Sequence, residues 1–140
     1  MFRRIAVPIL LIALIAGACS STVLTLDEGD CFNDPDSFTQ VESVDTVDCA
    51  EPHDNEVYEV ITSSAPSWPG DETMKAESFE VCLAAFEPFI GVSYDVSRWD
   101  IAALWPSQQS WDDADDREII CAVYDISGEQ VTGTARGSAD

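Results

Sequence analysis

Glu118-Ile119-Ile120-Cys121-Ala122-Val123-Tyr124-Asp125 is the stretch on which the reading of the fold turns. It carries the strongest strand signal in the chain: Ile119, Cys121 and Val123 point to one face, and Ile120, Ala122 and Tyr124 to the other. Just upstream, Trp99 to Trp105 reads as a short strand stopped by Pro106, and Ser107 to Asp116 as a polar stretch. Downstream, Ser127-Gly128-Glu129 has the composition of a hairpin turn, and Gln130 to Ala135 reads as the last strand. Further toward the N-terminus, Asp71 is placed to cap a helix, with Glu72 in its first turn. Phe79, Cys82, Leu83, Phe86 and Ile90 recur at steps of three and four and predict the buried stripe of that helix, ended by Pro88 and Gly91.

Val57 to Thr62 is a further strand, and Val41, Val44 and Val47 give strand character to the run leading to Cys49. Asp27 to Asp30 and Asn33 to Asp36 read as turns, and Ser63 to Gly70 as a loop. The fold class is therefore α+β: an antiparallel sheet of four to six strands with one amphipathic helix packed on one face. A helix packed on a sheet brings Cys82 of its stripe toward mid-strand Cys121. This predicts the bridges Cys82–Cys121 and Cys31–Cys49, one of the three pairings that four cysteines allow.

The N-terminus has a different character. Arg3 and Arg4 precede an apolar run from Ile5 to Ala16, which leads to Ala16-Gly17-Ala18-Cys19. This reads as a cleaved signal peptide over residues 1–18, too short to span a bilayer comfortably. Cys19 stands where a bacterial lipoprotein carries its diacylated cysteine, although Ala16 replaces the usual Leu of that motif. The alternative is a secreted protein cut at the same bond. Removing Cys19 to lipid leaves an even four of the five cysteines, as expected of an exported, bridged domain. Residues 19–26 then form the lipidated cysteine and a tether reaching about 25 Å when extended. Residues 27–137 form the domain, and residues 138–140 a tail.

After Cys19 the chain carries 27 acids against Lys75, Arg98, Arg117 and Arg136, a net charge of −23. Such a field excludes nucleic acid as a partner and repels anionic headgroups, while attracting cations or basic partners. Asp112, Asp113, Asp115 and Asp116 form the densest acidic run; the favoured reading is a solvated acidic loop, and weak divalent cation binding is the alternative. An EF-hand loop is excluded, because counting from Asp112 or Asp113 puts neither glycine at position six nor glutamate at position twelve.

His53 is the single histidine, set in Cys49-Ala50-Glu51-Pro52-His53-Asp54-Asn55-Glu56. With Glu56 it could hold a metal or act as a general base, but a catalytic zinc needs three protein ligands. The favoured reading is a structural histidine bonded to a carboxylate or the backbone. No G-x-S-x-G elbow, phosphate loop, H-E-x-x-H or C-x-x-C is present, and no cofactor is implied. Two or three of Trp68, Trp99, Trp105 and Trp111 are expected in the core, and any exposed one could anchor a partner.

Several pieces run in an order that resembles the septum-formation family of actinobacterial envelope proteins. They are Gly29-Asp30-Cys31-Phe32, Val44 to Cys49 leading into Pro52-His53 and Glu56-Val57, Pro69-Gly70, and Cys82. Pro106, Trp111, Asp116-Arg117, Cys121 and Thr132 to Gly137 complete the set. The chain departs from the family in having Asp115 where a glycine usually precedes Asp-Arg, and Thr134 where serine is frequent. The resemblance implies a domain linked to septum formation and supplies no catalytic mechanism.

The expected function is non-enzymatic. A domain anchored to the outer face of the cytoplasmic membrane binds an envelope or division protein, with His53, Glu56, Trp111 and Arg117 as the candidate functional surface. The alternative is a small hydrolase or cation-dependent ligand-binding protein using His53 and nearby acids.

Overall fold

The computed structural model describes residues 24–34 and 44–140. The signal peptide, Cys19, most of the tether and Val41 lie outside the described residues. The elements are β1 (Cys31–Phe32), β2 (Thr46–Val47), β3 (Asn55–Thr62), α1 (Asp71–Ile90), β4 (Trp99–Leu104), α2 (Gln108–Ala114) and β5 (Glu118–Asp125), with a 3₁₀ turn at Tyr94–Val96. The strands form one antiparallel sheet in the order β2-β1-β3-β5-β4.

The alternation of β5 sorts the core into two layers. Ile119, Cys121 and Val123 pack under α1 with Tyr58, Met74, Phe86 and Trp111. Ile120 and Ala122 face away, against Leu26, Phe32 and Val57. β3 joins both layers by way of a register shift between Val57 and Glu59. Tyr58 and Ile61 are an odd number of residues apart, yet both face the helix, as one extra residue in the strand requires.

The helix sits rotated from its expected setting. Its buried row is Met74, Ser78, Cys82 and Phe86, extended by Phe89 and Ile90. Phe79 and Leu83, expected in the stripe, are 42% and 39% exposed. They follow Ser78 and Cys82 by one residue, which is about 100° around the axis. Cys82 is bonded to Cys121, and that bond holds the row containing Cys82 against the sheet. Asp71 is the first helical residue and not the cap, which falls on Gly70. Pro88 lies inside the last turn, and the helix ends two residues beyond it, where Gly91 (φ 98°) returns its N–H to the Glu87 carbonyl.

Three further expectations are corrected. Part of the stretch read as polar loop is α2, opened by a capping box in which Ser107 and Ser110 each bond the other's backbone. The last strand over Gln130 to Ala135 does not form. β5 has β3 on one side and β4 on the other, so neither edge is open to a hairpin partner. The turn itself is made, with Gly128 N–H donating to the Asp125 carbonyl, but the chain then makes only a single bridge, Val131 with His53. Finally, both ends of the domain are packed. Leu26, read as the end of the tether, is buried in the second layer. In the tail, Ser138 accepts from the Trp99 indole and the Ala139 N–H donates to the Ile90 carbonyl.

The bridges are Cys31–Cys49 and Cys82–Cys121, with sequence separations of 18 and 39. The longer loop closure is worth about 4 kcal/mol by chain entropy. Urea unfolding of a Cys82→Ala/Cys121→Ala double variant is therefore expected to show a loss of roughly that size, larger than for Cys31→Ala/Cys49→Ala, at about 3 kcal/mol.

Candidate functional site

The four residues singled out as a functional surface separate into two pairs. His53 and Glu56 lie at one end of β3, and Arg117 at the other, where its carbonyl accepts from the Ser63 N–H. The seven residue steps from Glu56 to Ser63 make the separation about 23 Å.

At the first end His53 is 1% exposed. Its Nδ1 is 2.8 Å from the Glu51 carbonyl, and Nε2 has no partner among the described residues. Its backbone makes both bonds of the bridge to Val131. Glu56 is buried and accepts from the Thr134 hydroxyl at 2.5 Å and the Ala135 N–H at 2.6 Å. Gly133 N–H donates to the Cys49 carbonyl. Residues 131–135 are thus strapped across the sheet end by groups from the His53 segment. The ring thus has the backbone partner expected of a structural histidine.

At the other end the Arg117 guanidinium lies 3.7 Å over the Trp111 ring and donates to the carbonyls of Trp111 and Asp116. Trp111 is buried against Trp68. Arg117 also pairs with Asp115 at 2.9 Å, a contact worth about 0–1 kcal/mol because Asp115 is exposed. Asp116 accepts from the Glu118 N–H. Among the described residues no group of three His, Cys, Asp or Glu comes together to hold a metal, and the acidic run over Asp112, Asp113, Asp115 and Asp116 is no exception. Of the tryptophans, Trp99 and Trp111 are buried, Trp68 is partly buried and Trp105 is 39% exposed.

The reading of the sequence missed a third place, at the β4 edge. Asp100 stands opposite Tyr124. Its carboxylate accepts from the Tyr94 hydroxyl at 2.5 Å, the Tyr124 hydroxyl at 3.0 Å and the Ile101 N–H at 2.8 Å. Burial raises its pKa, but these three donors outweigh burial and hold it below the usual carboxylate range. In return, the bond to Asp100, then burial, pushes Tyr94 up to about 12. Tyr124 is raised by burial and then by Asp100, and Tyr58 by burial. An acid in the middle of Trp99-Asp100-Ile101-Ala102-Ala103-Leu104 was the available signal, since charges on edge strands guard against unwanted pairing.

Beside this cluster is a cleft of about 500 Å³ lined by Asp34, Lys75, Phe79, Ala103, Trp105 and Tyr124, among others. Its walls come from both faces of the sheet, which places it around the free edge of β4.

These features define a small, acidic, disulfide-braced α+β domain of a kind found in oxidising compartments outside the cytoplasm. The chain belongs to the septum-formation family, whose model, described as "Septum formation", matches residues 27–140. It is 33% identical over 123 residues to "Putative lipoprotein LppN" of Mycobacterium tuberculosis, covering 85% of this chain and 67% of that protein. The Mycobacterium bovis protein of the same name matches to the same extent. "Uncharacterized membrane protein Rv3835" of Mycobacterium tuberculosis is 32% identical over 107 residues, covering 68% of this chain and 23% of that protein. The chain therefore spans about a quarter of that relative's length. No solved structure matches the chain. Among the described residues no helix is long and apolar enough to cross a membrane.

Two departures from the family pattern have a structural explanation. Asp115 adopts φ 54°, the left-handed region in which glycine is most at ease and aspartate is tolerated. Thr134 contributes its hydroxyl to Glu56, as a serine would.

Two predictions follow from these contacts. Replacing Glu56 by Ala leaves the Ala135 N–H without its buried acceptor, at a cost of about 1.5–3 kcal/mol. Amide exchange at Val131 and Ala135 is expected to accelerate in that variant. The Asp100 cluster sets pH limits on stability. The depressed Asp100 pKa contributes stability above the ordinary carboxylate value of about 4, and this is lost as the pH falls through the lower folded value. The raised Tyr94 pKa contributes stability below about pH 10, lost as the pH climbs from there toward 12. All three tyrosines of the chain are raised, so absorbance at 295 nm is expected to show little tyrosinate at pH 10 in the folded protein. Asp100→Asn is expected to lower the midpoint for Tyr94.

Proposed function

We propose that this protein is a non-catalytic recognition domain of the cell envelope. In this reading it is anchored by a diacylated Cys19 to the outer face of the cytoplasmic membrane and binds a protein of the septum-forming machinery. The observation that carries the reading is where the polar chemistry sits. Glu56 and Arg117 have their bonding directed to holding the fold, and His53 is enclosed beneath the strap. The apolar side chains of Phe79 and Trp105 are meanwhile partly presented to solvent beside the unpaired edge of β4. An exposed aromatic rim beside free backbone groups suits protein recognition.

The family's descriptor supports a role at the septum, and the lipoprotein name carried by the LppN relatives supports the anchor. A diacylated cysteine provides the two chains that stable membrane residence requires.

The test is to image the full chain, carrying a fluorophore that matures outside the cytoplasm, in dividing cells of its native host. Enrichment at septa is expected, and uniform distribution around the envelope overturns the septal role. Intact-mass analysis of the membrane-extracted protein is expected to show cleavage before Cys19, a diacylglyceryl group on it and two bridges. A mature chain with an unmodified Cys19 overturns the anchor.

A further inference from the structure

β4 is the last strand of the sheet, so only one of its edges is paired. Which backbone groups face outward follows from the ladder. Ile126 N–H donates to the Arg98 carbonyl, and in an antiparallel pair the bonded residues alternate. Asp100, Ala102 and Leu104 therefore bond toward β5, and Trp99, Ile101 and Ala103 direct their N–H and C=O groups away from it. The Trp99 N–H is taken by the Ser97 hydroxyl and the Ile101 N–H by the Asp100 carboxylate. The Ala103 N–H and C=O have no partner among the described residues. The first half of the edge is thus closed by the protein's own side chains, and the second half is open.

The cleft lies against the open half. Phe79 and Lys75 of α1 line it on one side of the sheet, and Asp34, Asn55 and Tyr124 on the other. A strand added at Ala103 would alternate its side chains between these walls. Those on the helix side meet Phe79, Ala103 and Trp105, which favour an apolar residue. Those on the other side face the wall that carries Asp34, bonded to Asn55 beyond Tyr124, which favours a long basic one.

We propose that this edge docks an extended segment of another envelope protein, added to the sheet beside β4, with lysine or arginine alternating with apolar residues. The inference deepens the proposed function and rests on it for the partner's being a protein. Charge complementarity selects the occupant. The chain after Cys19 carries −23, and of its four cations Arg98 and Arg117 are paired internally. A basic segment is attracted, whereas a second copy of this chain would bring an equal negative charge to the same edge. Backbone pairing supplies affinity and the alternating side chains supply selectivity.

The probe is a fluorescein-labelled hexapeptide of alternating lysine and valine, titrated into the oxidised domain at physiological salt and followed by anisotropy. Peptides with glutamate in place of lysine, and with the lysines and valines in separate blocks, serve as controls. Binding is expected for the alternating lysine peptide alone, with the Ala103 amide resonance shifting on titration. Ala103→Pro removes the outward N–H while leaving the bonds to β5, so affinity is expected to fall on the order of tenfold or more. Phe79→Ala removes a partly exposed side chain whose ring packs edge-on against Tyr94, leaves every backbone bond of the sheet in place, and is expected to weaken binding as well, which keeps the test decisive if the proline variant misfolds.

Equal affinity for the blocked peptide, or unchanged binding by both variants, overturns the proposal. So does self-association of the wild type that Ala103→Pro abolishes, since that assigns the edge to a second copy. Septal enrichment of the wild type without peptide binding refutes this docking mode alone. Uniform distribution in cells refutes the wider function whatever the peptide does.

Discussion

The covalent bond between Cys82 and Cys121 joins the middle of the long helix to the middle of β5, and the remaining packing is arranged around it. Fixing Cys82 against the sheet sets the rotation of α1 and buries the Met74, Ser78 and Phe86 row. The Tyr58 hydroxyl reaches over the strand bulge to donate to the Cys82 carbonyl, so β3 is referred to the same point. The same rotation turns Phe79 and Leu83 outward, and Phe79 lines the edge cleft. A chain of this charge resists compaction by its own repulsion. A link that lowers the entropy of the unfolded chain is a direct way to offset it.

The second bridge and the strap perform the corresponding task at one end of the sheet. Cys31–Cys49 ties β1 to the turn after β2, and the Cys49 carbonyl then accepts from Gly133. Glu56 is buried without a cationic partner among the described residues, and its carboxyl oxygens accept from a hydroxyl and a backbone N–H at short distance. Hydrogen bonds to a charged acceptor are among the stronger ones, which suits a strap made of a single bridge and a few turns. At the opposite end Arg117 clamps Trp111 by stacking and by bonds to two carbonyls, so both sheet ends are closed by side chains. The free edge of β4 is left open by these closures, so an interaction there keeps the fold intact.

Within the family, the two departures of this chain illustrate how conformation and hydrogen bonding limit substitution. A left-handed residue must follow α2 so that the chain can enter β5, and aspartate fills it while pairing with Arg117. The strap needs a hydroxyl aimed at Glu56, and threonine provides one. Both substitutions preserve the physical requirement of the site.

Local pattern alone determined the α+β class, the β4 and β5 strands, the long helix and its end at Gly91, because periodicity and turn chemistry are properties of short segments. The backbone contact of the His53 ring was also legible, from the scarcity of partners for a lone histidine. Tertiary structure decided the rest. Whether residues 130–135 form a strand depends on whether β5 has a free edge, which strand order settles and β5's own residues do not express. The facing of Phe79 depends on a bond between two cysteines 39 residues apart. The separation of His53 and Glu56 from Trp111 and Arg117, and the meeting of Asp100 with Tyr94 and Tyr124, are long-range facts of the same kind. They arise because a sheet joins segments by hydrogen bonds between strands, and the register of that joining is chosen by the whole core at once.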